Sequence, residues 1–122
     1  MAKQKAKRRG KKKSAAGLLP KTRRIFVYEE DPNTLKVYPP VLVVEGGDEV
    51  ELVNSAGEDV KWLVPKGPFD ATDPLDEKVG KGKPSKQHKA RKVTLAAVYT
   101  VKGVMTKRHA VGGSDPVIII ET

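Results

Sequence analysis

The chain has 122 residues, 38% of them hydrophobic, and a formal net charge of +9. That length suits one domain with a small core. The absence of cysteine excludes disulfides, Cys-x-x-Cys zinc sites, thiolate copper sites and cysteine nucleophiles, and it fits a reducing compartment.

The charge is unevenly spread. Residues 1–24 hold 11 Lys and Arg with no Asp or Glu, whereas residues 25–122 hold 13 basic against 15 acidic residues, a net of −2. Such asymmetry points to an anionic partner. The segment "MAKQKAKRRGKKKSAAG" is of low complexity. Its like charges repel and it has little apolar area to offset chain ordering, which predicts disorder when it is alone. "LLPKTRR" forms a junction. No run approaches the roughly 18 apolar residues of a membrane span, and "AAGLLP" is too short for a signal-peptide core, so the sequence reads as cytoplasmic.

From Arg24 the pattern changes to short strands. "RIFVY" (24–28) is followed by a turn, "EEDPN". "TLKVY" (34–38) puts Leu35 and Val37 on one face, Pro39 and Pro40 break it, and "VLVVE" (41–45) follows. "GGDEVELVN" (46–54) opens on a Gly-Gly turn, then sets Val50 and Leu52 against Glu49 and Glu51 with the period of a half-buried strand. "VKWLVP" (60–65) is a further strand with Trp62 facing the core. Residues 66–91 read as a long polar loop, functional or mobile, with a short helical turn near "DPLDEKV". "KVTLAAVYTVKG" (92–103) gives one or two strands, and "PVIIIET" (116–122) closes the chain as a buried one. About seven strands with turn signals predict an antiparallel β-sandwich, with an arm at 1–23 and a body at 24–122.

"GGDEVELVNSAGEDVKW" resembles the cupredoxin segment Gly-Asp-x-Val-x-x-x-Asn, matched by Gly47, Asp48, Val50 and Asn54. "YTVKG…GGSDPVIII" resembles the closing hairpin of that family, in which Tyr-x-x-x-Cys leads into a ligand loop and a last strand; Tyr99 and 117–120 fit. The resemblance covers 24–122 and implies a Greek-key β-sandwich of the plastocyanin and azurin type. The copper ligands do not follow. Lys61 and Trp62 stand nearest the place of the first histidine, the cysteine falls at about Gly103, His109 matches the second histidine only loosely, and Met105 is on the wrong side of the loop for the axial methionine. A blue-copper centre needs two imidazoles and a thiolate, so the resemblance implies a sandwich without its copper. His88, His109 and Asp115 are scattered and give no other ligand spacing. No metal or cofactor is expected.

Enzyme chemistry is not expected either. Ser114 and Asp115 lie in no nucleophile elbow, and "GKGKPSK" lacks the Gly-Lys-Ser/Thr ending of a phosphate loop. The candidate site is electrostatic. Lys3, Lys5, Lys7, Arg8, Arg9, Lys11, Lys12, Lys13, Lys21, Arg23 and Arg24 form a cationic arm that gains affinity for RNA or DNA by counterion release. Engagement of roughly 6 to 8 charges predicts a log–log salt slope of about −5 to −7. Lacking aromatics, the arm has no means of stacking on bases, which predicts weak sequence preference. A second run holds Lys81, Lys83, Lys86, Lys89, Arg91 and Lys92. The arm resembles in composition the extensions of ribosomal proteins. The sequence thus predicts a non-enzymatic nucleic-acid-binding protein, an accessory of a ribonucleoprotein or nucleoid. The other readings are an assembly module that meets a protein partner at the sandwich edge, as in coat-like subunits, and a divergent metal protein.

Overall fold

The computed structural model describes residues 21–70, 73–111 and 115–122. The predicted disordered arm up to residue 20 lies outside them, as do residues 71–72 and 112–114. The strands are β1 (Thr22–Asp31), β2 (Thr34–Tyr38), β3 (Val41–Glu45), β4 (Glu49–Asn54), β5 (Val60–Val64), β6 (Leu75–Val79), β7 (His88–Lys89), β8 (Leu95–Val98), β9 (Thr100–Gly103), β10 (Ala110–Val111) and β11 (Val117–Glu121). They form a five-stranded sheet in the order β10-β2-β1-β4-β7 and two three-stranded sheets, β3-β11-β8 and β6-β5-β9. The all-β sandwich matches the expectation from sequence.

Alternation decides which faces meet. Ile25, Val27, Leu35, Val37, Val50 and Leu52 point inward from the five-stranded sheet, against Leu42, Val44, Val60, Trp62, Val101 and Ile118 from the other two. Trp62 is fully buried and meets Phe69 and Tyr99 edge-on at 5.8 and 6.4 Å. Removing such a ring would cost about 3–5 kcal/mol.

The pairing is mixed rather than purely antiparallel. β1–β2 is antiparallel, but β1–β4, β3–β11 and β10–β2 are parallel. Pro39 and Pro40 form a corner that carries the chain into the second sheet, and a tight turn brings it back beside β1 with the same polarity. That turn closes through the Asp48 N–H on the Glu45 carbonyl (3.0 Å). Gly47 has φ 97° there, and a Cβ on Gly46 would lie 2.7 Å from the Lys92 Cα, so neither position tolerates a side chain.

Three further elements differ from expectation. "DPLDEKV" is not helical: residues 75–79 form β6, paired along β5 with Trp62 opposite Glu77. The segment 66–91 is no simple loop, since it also contains β7 and bridges Phe69 to Ala90 and Val53 to Pro84. The closing strand β11 is buried on one face only, through Ile118 and Ile120. Residues 92–103 give two strands in different sheets. Tyr99 makes the crossing, its N–H donating to the Pro116 carbonyl (3.1 Å).

Candidate functional site

Of the predicted cations, Lys3, Lys5, Lys7, Arg8, Arg9, Lys11, Lys12 and Lys13 lie outside the described residues. Lys21 is exposed where the chain enters β1. Its N–H donates to Asp48 Oδ1 at 3.1 Å, and its carbonyl accepts from the Glu49 N–H at 2.8 Å. β1 begins at Thr22, so Arg23 and Arg24 are strand residues, and each faces a carboxylate of the body. Arg23 Nε lies 3.6 Å from Asp48 Oδ2, and Arg24 Nε donates to Glu51 Oε1 at 2.7 Å. Glu51 points to the outer face as its alternation requires, yet it is buried beneath that arginine.

The second basic run is the edge of the five-stranded sheet. Residues 82–90 track antiparallel along β4. Gly82 N–H donates to the Asn54 carbonyl (2.9 Å), Asn54 N–H to Lys83 (2.9 Å), Ser85 N–H to Leu52 (2.7 Å), and Ala90 N–H to Asp48 (2.8 Å). Ser85 Oγ also accepts the Leu52 N–H at 2.9 Å. Lys81, Lys83, Lys86, Lys89, Arg91 and Lys92 are all exposed. None of them makes an ion pair among the described residues, and Arg91 Nη1 donates only to the Gly67 carbonyl, at 3.1 Å. The register sets Thr22 opposite Glu49 and Glu49 opposite Lys89. The root of the cationic segment therefore stands two strand spacings from Lys89, about 10 Å, with Arg91 and Lys92 beyond.

A second cluster was not foreseen. Glu58 is buried, and the loop after β9 wraps its carboxylate. Oε1 accepts the N–H groups of Met105 (2.9 Å) and Thr106 (3.0 Å). Oε2 accepts the Thr106 hydroxyl and Arg108 Nη2 at 2.7 Å. The Arg108 guanidinium also reaches Glu29 Oε2 (2.9 Å), the Pro32 carbonyl (2.8 Å) and Thr106 Oγ1 (2.8 Å). Burial alone would push the Glu58 carboxyl up. The Thr106 and Arg108 side chains and the two backbone N–H groups outweigh it and hold the carboxyl at about 2. Asn54 fixes the segment carrying Glu58: its Nδ2 donates to the carbonyls of Glu58 (2.8 Å) and Val79 (3.1 Å), and its Oδ1 accepts the Ala56 N–H (2.9 Å).

No family model matches the sequence, and no curated protein matches it. Solved structures do match. A mutant of amicyanin in its Cu(I) form is 15% identical, with a TM-score of 0.51 over 80% of this chain and 82% of that one. Auracyanin B is 11% identical, with a TM-score of 0.52 over 86% and 92%. A copper-containing nitrite reductase from Thermus scotoductus SA-01 is 19% identical, with a TM-score of 0.51 over 89% of this chain but 25% of that one. The fold is cupredoxin-like.

Copper is named for amicyanin and the reductase, and the residues here do not fit it. At Gly103, where the resemblance places a thiolate, a Cβ would lie 2.5 Å from Glu58 Oε2 and 2.7 Å from its Cδ. The carboxylate fills the space of the missing side chain. Its oxygens are already taken by four donors, one of them a guanidinium that offers no lone pair and stays charged. A cation beside Arg108 would be repelled. The two histidines lie elsewhere. His88 Nε2 is 2.7 Å from Glu77 Oε1, and its ring stacks on Phe69 at 5.4 Å. His109 is exposed and bridges to Lys102. Asp115 is exposed too, and Ser114 lies outside the described residues. No group of three metal-ligating side chains occurs among the described residues.

One signal for the Glu58 cluster was present in the sequence. An isolated glycine ending a strand pattern, as at Gly103, marks a close approach. Nothing local paired Glu58 with Arg108, which is 50 residues away.

Proposed function

We propose that this chain is a non-enzymatic nucleic-acid-binding protein whose N-terminal cations hold the phosphate backbone while a metal-free cupredoxin-like body carries them. The observation that supports this most is the convergence of charge. The root of the cationic segment at Lys21 and the cations Lys89, Arg91 and Lys92, which make no ion pair among the described residues, stand at one end of one sheet, so both runs can follow a single phosphate backbone. Arg23 and Arg24 face carboxylates of the body, which leaves the phosphate contacts to Lys21, the eight cations before residue 20 and the sheet edge. The reading places the protein in the cytoplasm, as an accessory of a ribonucleoprotein or nucleoid. None of the described residues forms a helix long and apolar enough to cross a membrane. The test is the material that travels with the intact protein. Nucleic acid should co-purify at low salt, shown by the absorbance ratio and removed by nuclease. A purified protein free of nucleic acid that also fails to retain added RNA or DNA at low salt would refute the reading.

One observation favours a second reading, an assembly module. The outer face of the β3-β11-β8 sheet sets Val41, Val117 and Val98 in one row and Val43, Ile119 and Ala96 in the next. Val41, Val43 and Val98 are about half exposed. Six uncharged aliphatic side chains in two adjacent rows suit a second copy of the same face. Light scattering would then give a dimer or larger species that Val43→Lys dissociates; a monomer at high concentration excludes it.

A further inference from the structure

The chain has six aromatic residues, three Tyr, two Phe and one Trp. Trp62, Phe69 and Tyr99 form part of the core. Phe26, Tyr28 and Tyr38 do not. Ile25 and Val27 of β1 and Leu35 and Val37 of β2 point inward, so alternation turns Phe26, Tyr28 and Tyr38 to the outer face. Phe26 and Tyr38 are directly opposite each other across the two strands, and they are 41% and 63% exposed. The register continues the row. Phe26 is beside Val53 on β4, and Val53 is bridged to Pro84. Tyr38, Phe26, Val53 and Pro84 thus form one apolar line across four adjacent segments. At about 5 Å per strand it is roughly 14 Å long.

The charges around this line are largely matched, with a small positive excess. On the same face, Glu51 is matched by Arg24 and Glu30 by Lys36, and Glu49 lies beside Lys89. Lys83 and Lys86 flank Pro84 without an ion pair among the described residues. Phe26 follows Arg24 by two positions on the strand into which the cationic segment runs. Exposed rings on a sheet beside a basic groove are a recurrent way of holding unpaired bases, because every base has a π-face and the backbone follows the charge.

We propose that the outer face of β1 and β2 is a base-stacking platform for single-stranded nucleic acid, with Phe26 and Tyr38 as the stacking residues and Tyr28 at their margin. This rests on the nucleic-acid reading above and narrows it: the ligand is a single strand, bound by its bases as well as its phosphates. A duplex hides its base faces and meets only the charges.

The test uses the full chain and fluorescence anisotropy with labelled 12-nucleotide probes: oligo-U, oligo-dT and a duplex of equal length. The single strands should bind more tightly than the duplex. Phe26→Leu with Tyr38→Leu keeps apolar bulk on the face and removes both rings; it should weaken single-strand binding by roughly tenfold to a hundredfold. Duplex affinity and the salt slope should not change, because no cation is lost. Phe26→Tyr with Tyr38→Phe should bind as the parent does, and circular dichroism confirms the fold of each variant. The oligo-U and oligo-dT probes separate an RNA from a DNA ligand. Parent protein that binds all probes with a steep salt slope, joined to a Leu pair with unchanged affinity, overturns the platform and leaves the electrostatic reading standing. Failure of the parent to bind any probe overturns both. A parent that is dimeric at the assay concentration, and that the Leu pair renders monomeric, also overturns the platform by giving the face to a second copy.

Discussion

At Gly103 and Glu58 one side chain stands where another would have to be. The Glu58 carboxylate is held from four directions and lies against the Gly103 Cα, so Gly103→Ala forces a pinned group to move. Such overpacking costs about 1–3 kcal/mol, and urea unfolding should show it as a lower midpoint at constant slope. The same carboxylate gives a pH signature. Its folded pKa, about 2, lies below the ordinary value of 4.5. Its contribution to stability is therefore complete above about pH 4.5 and is lost as the pH falls toward 2. Glu58→Gln should be least stable relative to the parent at neutral pH, and the gap should close across that window. A gap that is constant from pH 7 to pH 2 would mean that folding leaves the Glu58 pKa unchanged. Lys107, next to Arg108, adopts φ 66°, a left-handed conformation that lets the loop turn tightly enough for Thr106 and Arg108 to reach the same carboxylate.

At the scale of elements, the basic edge depends on one hydroxyl. Ser85 is buried, accepts the Leu52 N–H and donates to the Lys86 carbonyl at 2.7 Å. Ser85→Ala leaves a buried β4 donor unmatched, which costs about 1–3 kcal/mol. The loss should be local, so hydrogen exchange should quicken at 82–90 and on β4 while β3 and β11 stay protected. Equal protection everywhere would show that the edge does not need this contact. The same comparison explains which elements were legible in the sequence. β2 to β5 alternate strongly enough to be placed closely, whereas β1 was read as 24–28 and runs Thr22–Asp31; Asp48 and Asn54 were visible as motif positions because a turn and a loop hang on their side chains. β6, "LDEKV", has too little alternation to show its state, which its pairing with β5 imposes. β7 exists only because β4 offers it an edge. The two faces of β1 were separable, but which of them would be covered depends on a sheet formed much later in the chain. The stacking face was hidden for that reason, and the ion cluster because its members are far apart.

At the scale of the whole molecule, attachment and folding are separable only if the cut is made in the right place. Removing residues 1–24 would delete the first three residues of β1 and both arginines that hold Asp48 and Glu51, so lost binding could not be told from a damaged sheet. A cut after residue 20 removes eight Lys and Arg and leaves every described contact of the body in place. The shortened protein should unfold at the same urea midpoint as the full chain. Its binding should differ in both strength and kind. Eight cations engaged on a duplex give a log–log salt slope of about −7, and that part of the slope should disappear. At roughly 0.15 M salt the dissociation constant should rise by about a hundredfold or more, while the sheet edge keeps a weak affinity that is visible only at low salt. Neutralising that edge in the full chain, with Lys83, Lys86 and Lys89 changed together to Gln, should lower the slope by about three without altering the fold. The two changes together test the convergence directly. If both runs follow one backbone, the edge substitutions weaken the full chain; if the runs bind independently, the edge substitutions have no effect until the N-terminal cations are gone.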